Sequence, residues 1–381
     1  MTINSALKDN YMKKNQQVGK TDSSERFTNS SLPLIHQDQL PLAILKNEKS
    51  YDKGTIMAAD VGGTKTNLAL YKIKDGALVL LKEKTYRTKM YESFVEMVHN
   101  FHDGNLPSID GICIGVAGPV TQGKVQGTNF PWAIDREEIH KELRIPSVSL
   151  MNDMEANAYG LAALQEKDFH TLKNGSDIPG NMALISPGTG LGEAGLFWDG
   201  SHYHPFATEG GHCDFSPRNA LDVEIWQSLQ QKYGHVSWER LISGPGILEI
   251  YKILRSRSGI KEAQWLKEKL EKEDPSAVIT ETALNGKDPV CKETLELFIR
   301  FLAIEAAQLA LNLKTTGGIY IGGGILPNII QGVNREAFCN NFIDAGRMKP
   351  LLQMVPVKVI LNEKTALLGA AYYAAATLEL E

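Results

Sequence analysis

The sequence has few cysteines, no long apolar run and no excess of basic charge. Its four cysteines are far apart and none lies in a C-x-x-C spacing, so we expect reduced thiols rather than disulfides or a zinc knuckle. No apolar stretch approaches membrane-spanning length, and the N-terminus lacks the apolar core of a signal peptide. A net charge of −5 gives no field to concentrate nucleic acid. These absences predict a cytoplasmic protein with small-molecule partners, no nucleic acid and no membrane, and leave a homodimer open.

The chain is long enough for more than one domain. Its 381 residues correspond to roughly two to three domains and to a core that needs no disulfides. Residues 1–53 are polar and without periodicity, which predicts a disordered extension that is dispensable for folding. Within it, the run LPLAIL at 40–45 is apolar enough to dock on the body nearby. The fold proper is expected to begin near Gly54.

The chain is organised around a glycine-rich hairpin. Two β-prone runs, 56–61 and 66–71, flank the turn Gly-Gly-Thr-Lys at 62–65. Glycines can take positive φ and lack a Cβ, so backbone N–H groups could approach an anion, and Asp60 stands where a hydrated cation could be held. The stretch indicates a cradle for the phosphates of a metal–nucleotide complex, although the glycines alone are more typical of an ordinary turn.

A strand-to-helix corner follows in VSLMNDMEANAYGLAAL. Residues 148–151 end a strand and Met154 begins a helical pattern, so Asn152 and Asp153 lie where catalytic groups gather in α/β folds. The commoner role for an aspartate at that corner is helix capping, which stays an alternative for Asp153. Upstream, the loop at 128–132 places Asn129 beside aromatic residues, where it could face a polyol or be a plain surface loop.

A second hairpin has the same pattern as the first, with a glycine-rich turn between two strands. A strand at 182–186 enters a turn at Gly188-Thr189-Gly190 and a return strand runs to Trp198, which suggests a duplication with one phosphate cradle on each side of a cleft. The segment 190–195 also matches G-x-G-x-x-G, but a dinucleotide fingerprint must open a helix, and the residues that follow are typical of a strand. A nicotinamide-dependent oxidoreductase is therefore disfavoured.

Polar side chains cluster in the glycine-rich loop before a helix from about Leu221. Glu209 and His212 there, a carboxylate and an imidazole, suit the vicinal diol of a sugar. Glu239 could join them, though a lone glutamate entering a helix is more often a solvated charge. A weaker alternative is a metal site, which lacks a compact ligand set. Its ligands would be His202, His204, His212 and Asp214.

Seven short motifs, by their order and spacing, indicate a resemblance to a known family. They are DVGGT at 60–64, GVAGPV at 115–120, NDMEA at 152–156, PGTGLG at 187–192, EGGHCDF at 209–215, HVSWERLISGPG at 235–246 and GGIYIGGGILP at 317–327. Over residues 54–381 the chain resembles the bacterial-type glucokinases of the actin-like, hexokinase-like ATPase superfamily. Lys65 gives GGTK, also typical of the related repressor, open-reading-frame and kinase family, but that family's cysteine-rich zinc motif is reduced here to Cys213.

The resemblance implies an α/β fold of the two-domain actin-like ATPase (ribonuclease H-like) type. Each domain would hold a mixed sheet, with the cleft between them. Residues 54–164 and 362–381 would form the small domain, and residues 165–361 the large one.

The resemblance also implies an activity and a site. The chain would be an ATP:D-glucose 6-phosphotransferase using Mg²⁺, with Asp153 as the catalytic base. The sugar-binding residues, with Asn129 added from its loop, would be Asn129, Asn152, Asp153, Glu209, His212 and Glu239. The nucleotide-binding residues would be Asp60, Gly62, Gly63, Thr64, Gly188, Thr189, Gly190, Gly323 and Gly324, with Asp60 holding Mg²⁺ through water. The alternatives are a kinase for mannose, fructose or N-acetylglucosamine, and a non-catalytic sugar-sensing regulator.

Overall fold

A computed structural model shows two six-stranded mixed sheets with helices packed around them. The structure describes residues 31–34, 39–45, 53–102, 107–126 and 132–378. Asn129, predicted to contact the sugar, lies outside the described residues. Within the described part, no helix is long and apolar enough to cross a membrane.

The first sheet is built from the N-terminal part of the chain. Its strands are β1 Ser31–Pro33, β2 Lys53–Val61, β3 Lys65–Lys74, β4 Ala77–Arg87, β5 Gly111–Val116 and β8 Ser147–Asn152. The spatial order is β1-β4-β3-β2-β5-β8. β2, β3 and β4 form an antiparallel meander, which confirms the predicted hairpin, and β5 and β8 run parallel to β2. A small ribbon of β6 Lys124–Gln126 and β7 Ala133–Asp135 lies between β5 and β8 in the chain.

Three helices accompany the first sheet. They are α1 Phe94–His102, α2 Arg136–Leu143 and α3 Asp153–Gly160. The apolar side chains of α1 that are spaced for one face, Phe94, Met97, Val98 and Phe101, are all buried. α3 starts directly at the end of β8, so the predicted strand-to-helix corner is confirmed. This corner puts Asn152 and Asp153 at the edge where the parallel strands end.

The second sheet is built from the middle of the chain. Its strands are β9 Phe169–Lys173, β10 Met182–Pro187, β11 Leu191–Trp198, β12 Tyr203–Thr208, β13 Gly318–Ile321 and β14 Val357–Ile360. The order is β12-β11-β10-β13-β14-β9, with β10, β11 and β12 antiparallel and β13 and β14 parallel to β10. The segment 190–195 therefore leads into strand β11 and opens no helix. This geometry does not fit a dinucleotide fingerprint.

Most helices belong to the part of the chain after β12, either between the last strands of the second sheet or beyond them. They are α4 Ala220–Tyr233, α5 Gly244–Ser258, α6 Gln264–Lys272, α7 Pro275–Leu284, α8 Pro289–Leu313, α9 Ile325–Ile329, α10 Arg335–Phe342, α11 Lys349–Met354 and α12 Thr365–Ala376. α8 is buried along most of its 25 residues, in the core that covers one face of the second sheet.

The last helix, α12, returns to the first sheet and packs on α3, β2 and β5. Glycines allow this approach, since a Cβ at Gly160 would lie 2.0 Å from the carbonyl oxygen of Thr365 and one at Gly369 1.8 Å from that of Ala156. The resulting core joins residues of both sheets with α3 and α12. The assignment of residues 54–164 and 362–381 to one domain and 165–361 to the other stays a prediction.

Part of the N-terminal segment belongs to the fold, which differs from the prediction that residues 1–53 are a disordered extension. β1 pairs antiparallel with β4 at the edge of the first sheet. The N–H of Leu34 donates to the carbonyl of Gly76 at 2.9 Å, and the Leu34 side chain is fully buried. The polar composition of the segment concealed this, because a few leucines suffice to dock a strand when a neighbouring strand has an open edge.

A second stretch of the same segment contacts the second sheet. Leu42 forms a parallel bridge with Tyr203 of β12, and the Tyr203 N–H donates to the carbonyl of Pro41 at 2.8 Å. Leu42 is 1% exposed. The predicted docking of residues 40–45 is thus confirmed at Leu42, and the N-terminal segment contacts both sheets.

Candidate active site

The first hairpin places a carboxylate beside a tight turn. In the β2–β3 register Asp60 lies opposite Asn67, whose Nδ2 donates to Asp60 Oδ2 at 3.1 Å. The N–H of Gly62 donates to the carbonyl of Lys65 at 2.9 Å and closes the turn. Asp60 is half-buried, and burial raises the pKa of its carboxyl, while the hydrogen bond from Asn67 lowers that pKa in part. A carboxylate therefore stands at the mouth of the turn, as predicted.

Glycine serves this turn through its small size. Neither Gly62 nor Gly63 has a positive φ, but a Cβ at Gly62 would lie 3.1 Å from the carbonyl oxygen of Lys65. The turn is also braced from outside by buried Thr88, just after β4. Thr88 Oγ1 donates to the carbonyl of Gly62 at 2.7 Å, and the Thr88 N–H donates to the carbonyl of Thr64 at 3.1 Å. No local sequence pattern marks Thr88, so its role was not predicted.

At the strand-to-helix corner, Asn152 and Asp153 have different roles. Asn152 Oδ1 accepts from the N–H of Met154 at 2.8 Å, so Asn152 caps α3. Its Nδ2 donates to the carbonyl of Gly118 at 3.2 Å and fixes the corner to the loop after β5. Asp153 is the first helical residue, and its Oδ1 also accepts from Met154 at 2.9 Å. Because Asn152 already caps the helix, Asp153 is not needed for capping.

Asp153 lies in a field of negative charge. Burial, the Asp60 carboxylate and, more weakly, the Glu209 carboxylate raise the pKa of Asp153 to about 6, against the hydrogen bond from Met154 that lowers it. These three carboxyl groups come from β2, α3 and the segment after β12, and the fold brings them close enough for the charges of Asp60 and Glu209 to act on Asp153. A carboxylate with a pKa near the working pH is suited to accept a proton.

Glu209 and His212 border the same space. Glu209 precedes a single 3₁₀ turn at Gly210–His212, and His212 Nε2 lies 3.9 Å from Glu209 Oε2. Their side chains are 62% and 59% exposed, so both can reach a ligand. The neighbouring Asp214 pairs instead with His235, at 2.9 Å.

The metal alternative is not supported by the geometry. His204 Nε2 lies 2.8 Å from Asp199 Oδ2, and His202 Nδ1 lies 2.7 Å from Ser201 Oγ, so both histidines have partners away from His212. Over the described ranges, no three His, Cys, Asp or Glu side chains are grouped so that they could hold a metal ion.

Glu239 connects the sugar-side residues to the second glycine turn. Its Oε2 accepts from the N–H of Leu191 at 3.0 Å, and a Cβ at Gly190 would lie only 2.6 Å from that oxygen. The N–H of Gly244 donates to the carbonyl of Gly188 at 2.8 Å from the other side. Glu239 is half-buried rather than a solvated first-turn charge. The turn at 188–190 is thus held between a carboxylate and a helix N-terminus.

The glycine turn that contains Gly323 and Gly324 packs on the turn at 188–190. Gly323 has φ +77°, and a Cβ there would lie 2.2 Å from the carbonyl oxygen of Pro187. Beside this contact lies a cavity of about 780 Å³, within the size range of small-molecule sites. Its lining includes Gly188, Thr189, Gly244, Ser276, Gly324 and Asn328. Ser276 and Asn328 were not predicted as site residues, although Asp-Pro-Ser at 274–276 has the form of a helix start.

Comparisons with known proteins agree with this geometry. A family model described as Glucokinase matches residues 57–377. The glucokinase of Nostoc punctiforme is 38% identical over 336 residues, which cover 84% of this chain and 98% of that protein.

Solved structures give the same result. A glucokinase from an Antarctic psychrotroph is similar with a TM-score of 0.71 and 30% identity, covering 84% of this chain and 98% of that one. A glucokinase of the ROK family from Streptomyces griseus, solved with glucose and AMPPNP, is similar with a TM-score of 0.56 and 21% identity, covering 84% of this chain and 99% of that one. These likenesses confirm the predicted two-domain α/β fold.

Proposed function

Since the chain belongs to the glucokinase family, we propose that it transfers the γ-phosphoryl group of ATP to the 6-hydroxyl of D-glucose. The observation that carries the proposal is the placement of Asp153. It stands at the start of α3, where Asn152 supplies the helix cap, with its pKa raised to about 6 by burial and by the charge of Asp60. It would accept the proton of the 6-hydroxyl as that oxygen attacks the phosphoryl group.

We propose that the sugar is held by Asn152, Glu209, His212 and Glu239 around Asp153. Carboxylates accept hydrogen bonds from hydroxyl groups, and an imidazole can donate or accept, so this set suits a ligand with several adjacent hydroxyls. The exposed side chains of Glu209 and His212 support the assignment. Asn129 stays in the proposed set on sequence grounds alone.

The nucleotide would lie along the three glycine turns. Its adenosine would occupy the cavity of about 780 Å³ beside Gly324, while Thr189 and the turns at 62–64 and 188–190 would face the phosphates. Backbone N–H groups at such turns stabilise anionic oxygens without a side chain in the way. The ATP analogue bound by the Streptomyces griseus protein supports ATP as the donor.

A magnesium ion fits the carboxylate beside the first turn. Asp60 is half-buried, and its charge acts on nearby Asp153, so two like charges share the site. A divalent cation held by Asp60 through water would offset that repulsion, and it would neutralise charge on the nucleotide phosphates. We therefore keep Asp60 as the proposed magnesium residue.

The four free thiols support a reducing, cytoplasmic compartment.

A coupled assay with glucose, mannose, fructose and N-acetylglucosamine tests the proposal. Glucose should give the highest kcat/KM, and Asp153→Asn, with the same shape but no base, should abolish most turnover with each sugar. A Lys232→Gln variant, at an exposed side chain near the end of α4, serves as the control. A chain that binds glucose in calorimetry but shows no ADP formation with any of the four sugars would instead be a sugar-sensing regulator.

A further inference from the structure

Two carboxyl side chains are buried directly beneath the sugar-side segment. Glu193 of β11 and Glu305 of α8 are 2% and 4% exposed, and the two lie within hydrogen-bonding reach of each other. Among the described residues, Glu193 Oε1 and Glu305 Oε2 have no hydrogen-bond donor. A buried carboxylate without a donor is costly, and a proton held by one member of the pair would give the other a donor.

The Glu193 side chain supports the segment that carries Glu209 and His212. A Cβ at Gly210 would lie 2.1 Å from Glu193 Oε2, and one at Gly211 would lie 2.2 Å from the carbonyl oxygen of Leu191. Thr208 Oγ1 donates to the carbonyl of Glu193 at 3.2 Å and accepts from the N–H of Gly210 at 3.2 Å. The segment therefore lies against β11 with no space for a side chain between them.

We propose that a proton shared between Glu193 and Glu305 holds the 209–212 segment in place, so that these two glutamates are positioning residues for sugar binding. The inference rests on the proposed function, because it takes Glu209 and His212 as sugar contacts. With the proton present, Glu305 O–H donates to the Glu193 carboxylate. When the proton is lost, two like charges remain in a closed space, and Glu193 can no longer stay against Gly210.

The charges around the pair assign the proton to Glu305. Burial raises the pKa of both groups; the Glu193 charge and the hydrogen bond to Glu193 raise the pKa of Glu305 further, while the same bond lowers that of Glu193. The positive charge of Arg218 lowers the pKa of Glu305 in part. Cys213 also faces the pair, and its thiol pKa is raised by burial first and then by both glutamates and Asp214.

Thermal unfolding of the sugar-free protein tests the shared proton without using turnover. The folded pKa of Glu305 lies above its unfolded value of about 4.3, so its contribution to stability is lost as the pH rises through the folded pKa. Glu305→Gln keeps the shape and a donor but cannot ionise. Between about pH 6 and about pH 9, the thermal midpoint of the wild type should fall relative to that of Glu305→Gln.

The KM for glucose tests the positioning role. In the wild type it should rise at alkaline pH, by up to roughly tenfold per pH unit above the folded pKa of Glu305, while kcat changes little; in Glu305→Gln it should stay constant within about twofold. Glu249→Gln, a carboxyl-to-amide change on α5 at a glutamate that pairs with Lys232, is the matched control and should follow the wild type.

The outcomes separate this inference from the proposed function. Identical pH dependence of the midpoint and of the KM in wild type and Glu305→Gln would overturn the shared proton. A pH-dependent midpoint difference with an unchanged glucose KM would overturn the positioning role. Absence of turnover with every sugar would contradict the proposed function, and glucose affinity measured by calorimetry over the same pH range would then still decide the inference.

Discussion

At the scale of single residues, the corner between β8 and α3 shows two neighbouring polar residues with different roles. Asn152 accepts from the N–H of Met154 in the first turn of the helix and donates to the carbonyl of Gly118, and both of these bonds stay within the protein. Asp153 shares only the N–H of Met154 and lies among other carboxylates. A residue kept at an electrostatic cost, with its structural role performed by its neighbour, is a good candidate for chemistry.

The substitution Asp153→Asn distinguishes the base from a helix cap. An amide cannot accept the proton, so kcat should fall by roughly 10² to 10⁴ fold while glucose still binds in calorimetry. Because the raised pKa of Asp153 means that its charge destabilises the fold above the unfolded pKa, the thermal midpoint at neutral pH should rise rather than fall. A variant with more than about a tenth of the wild-type kcat would remove Asp153 from the mechanism.

The pH dependence of turnover should report the same carboxyl group. Asp153 must be ionised to act, so kcat/KM for glucose should rise with pH through a midpoint near the pKa of about 6 and then level off at pH values below those at which Glu305 ionises. The Asp60 charge is the main neighbouring charge that raises this pKa, so the rise in Asp60→Asn should occur at lower pH even though its overall rate is reduced. A midpoint that is unchanged in Asp60→Asn would assign the titration to another group.

At the scale of elements, local patterns in the sequence predicted the hairpins and the corner. Alternating β-prone runs around glycines are sufficient for a hairpin, and β2–β3 and β10–β11 have the predicted pairing. The braces were not predictable. Thr88 reaches Gly62 across 26 residues and Glu239 reaches Leu191 across 48, so both contacts depend on tertiary packing that no local pattern encodes. The proposed shared proton between β11 and α8 likewise depends on tertiary packing and could not be predicted from a local pattern.

Removing the Thr88 hydroxyl tests the first brace. Thr88→Val keeps the shape but loses the bonds to the Gly62 carbonyl and to Thr66 Oγ1, at 2.7 and 3.0 Å. We expect a loss of about 1–3 kcal/mol in the free energy of unfolding and a higher KM for ATP, because the phosphate-facing turn loosens. The KM for glucose should change little. Thr88→Ser retains the hydroxyl and is the control; equal ATP affinity in Thr88→Val and Thr88→Ser would show that the brace does not support the nucleotide site.

At the scale of the whole molecule, the N-terminal segment connects the two sheets. β1 extends the first sheet at β4, Leu42 bridges to Tyr203 at the edge of the second sheet, and Tyr372 O–H of α12 donates to the carbonyl of Pro33. Leu34 and Leu42 both enter the core shared by the two sheets. The family model begins only at residue 57, so these contacts lie outside the part of the chain that it matches.

Deleting residues 1–45 should therefore destabilise the protein, contrary to what the composition of the segment suggests. The deletion uncovers the apolar surfaces beneath Leu34 and Leu42, each of which is buried almost completely. In the full-length chain, Leu34→Ala and Leu42→Ala should each cost about 2–5 kcal/mol in the free energy of unfolding, measured by denaturant titration. Lys349→Ala, exposed on α11, is the matched surface change.

The two leucines also distinguish local from global effects of the segment. Leu34 anchors the segment beside the first sheet and Leu42 beside the second, so a segment that joins the two sheets should show non-additive losses in the double variant. Once one end is released, the other end loses part of its own attachment, and the second substitution then costs less than it does alone. Strictly additive losses would mean that the two contacts are independent. An unchanged midpoint in the deletion variant would show that neither contact contributes to stability.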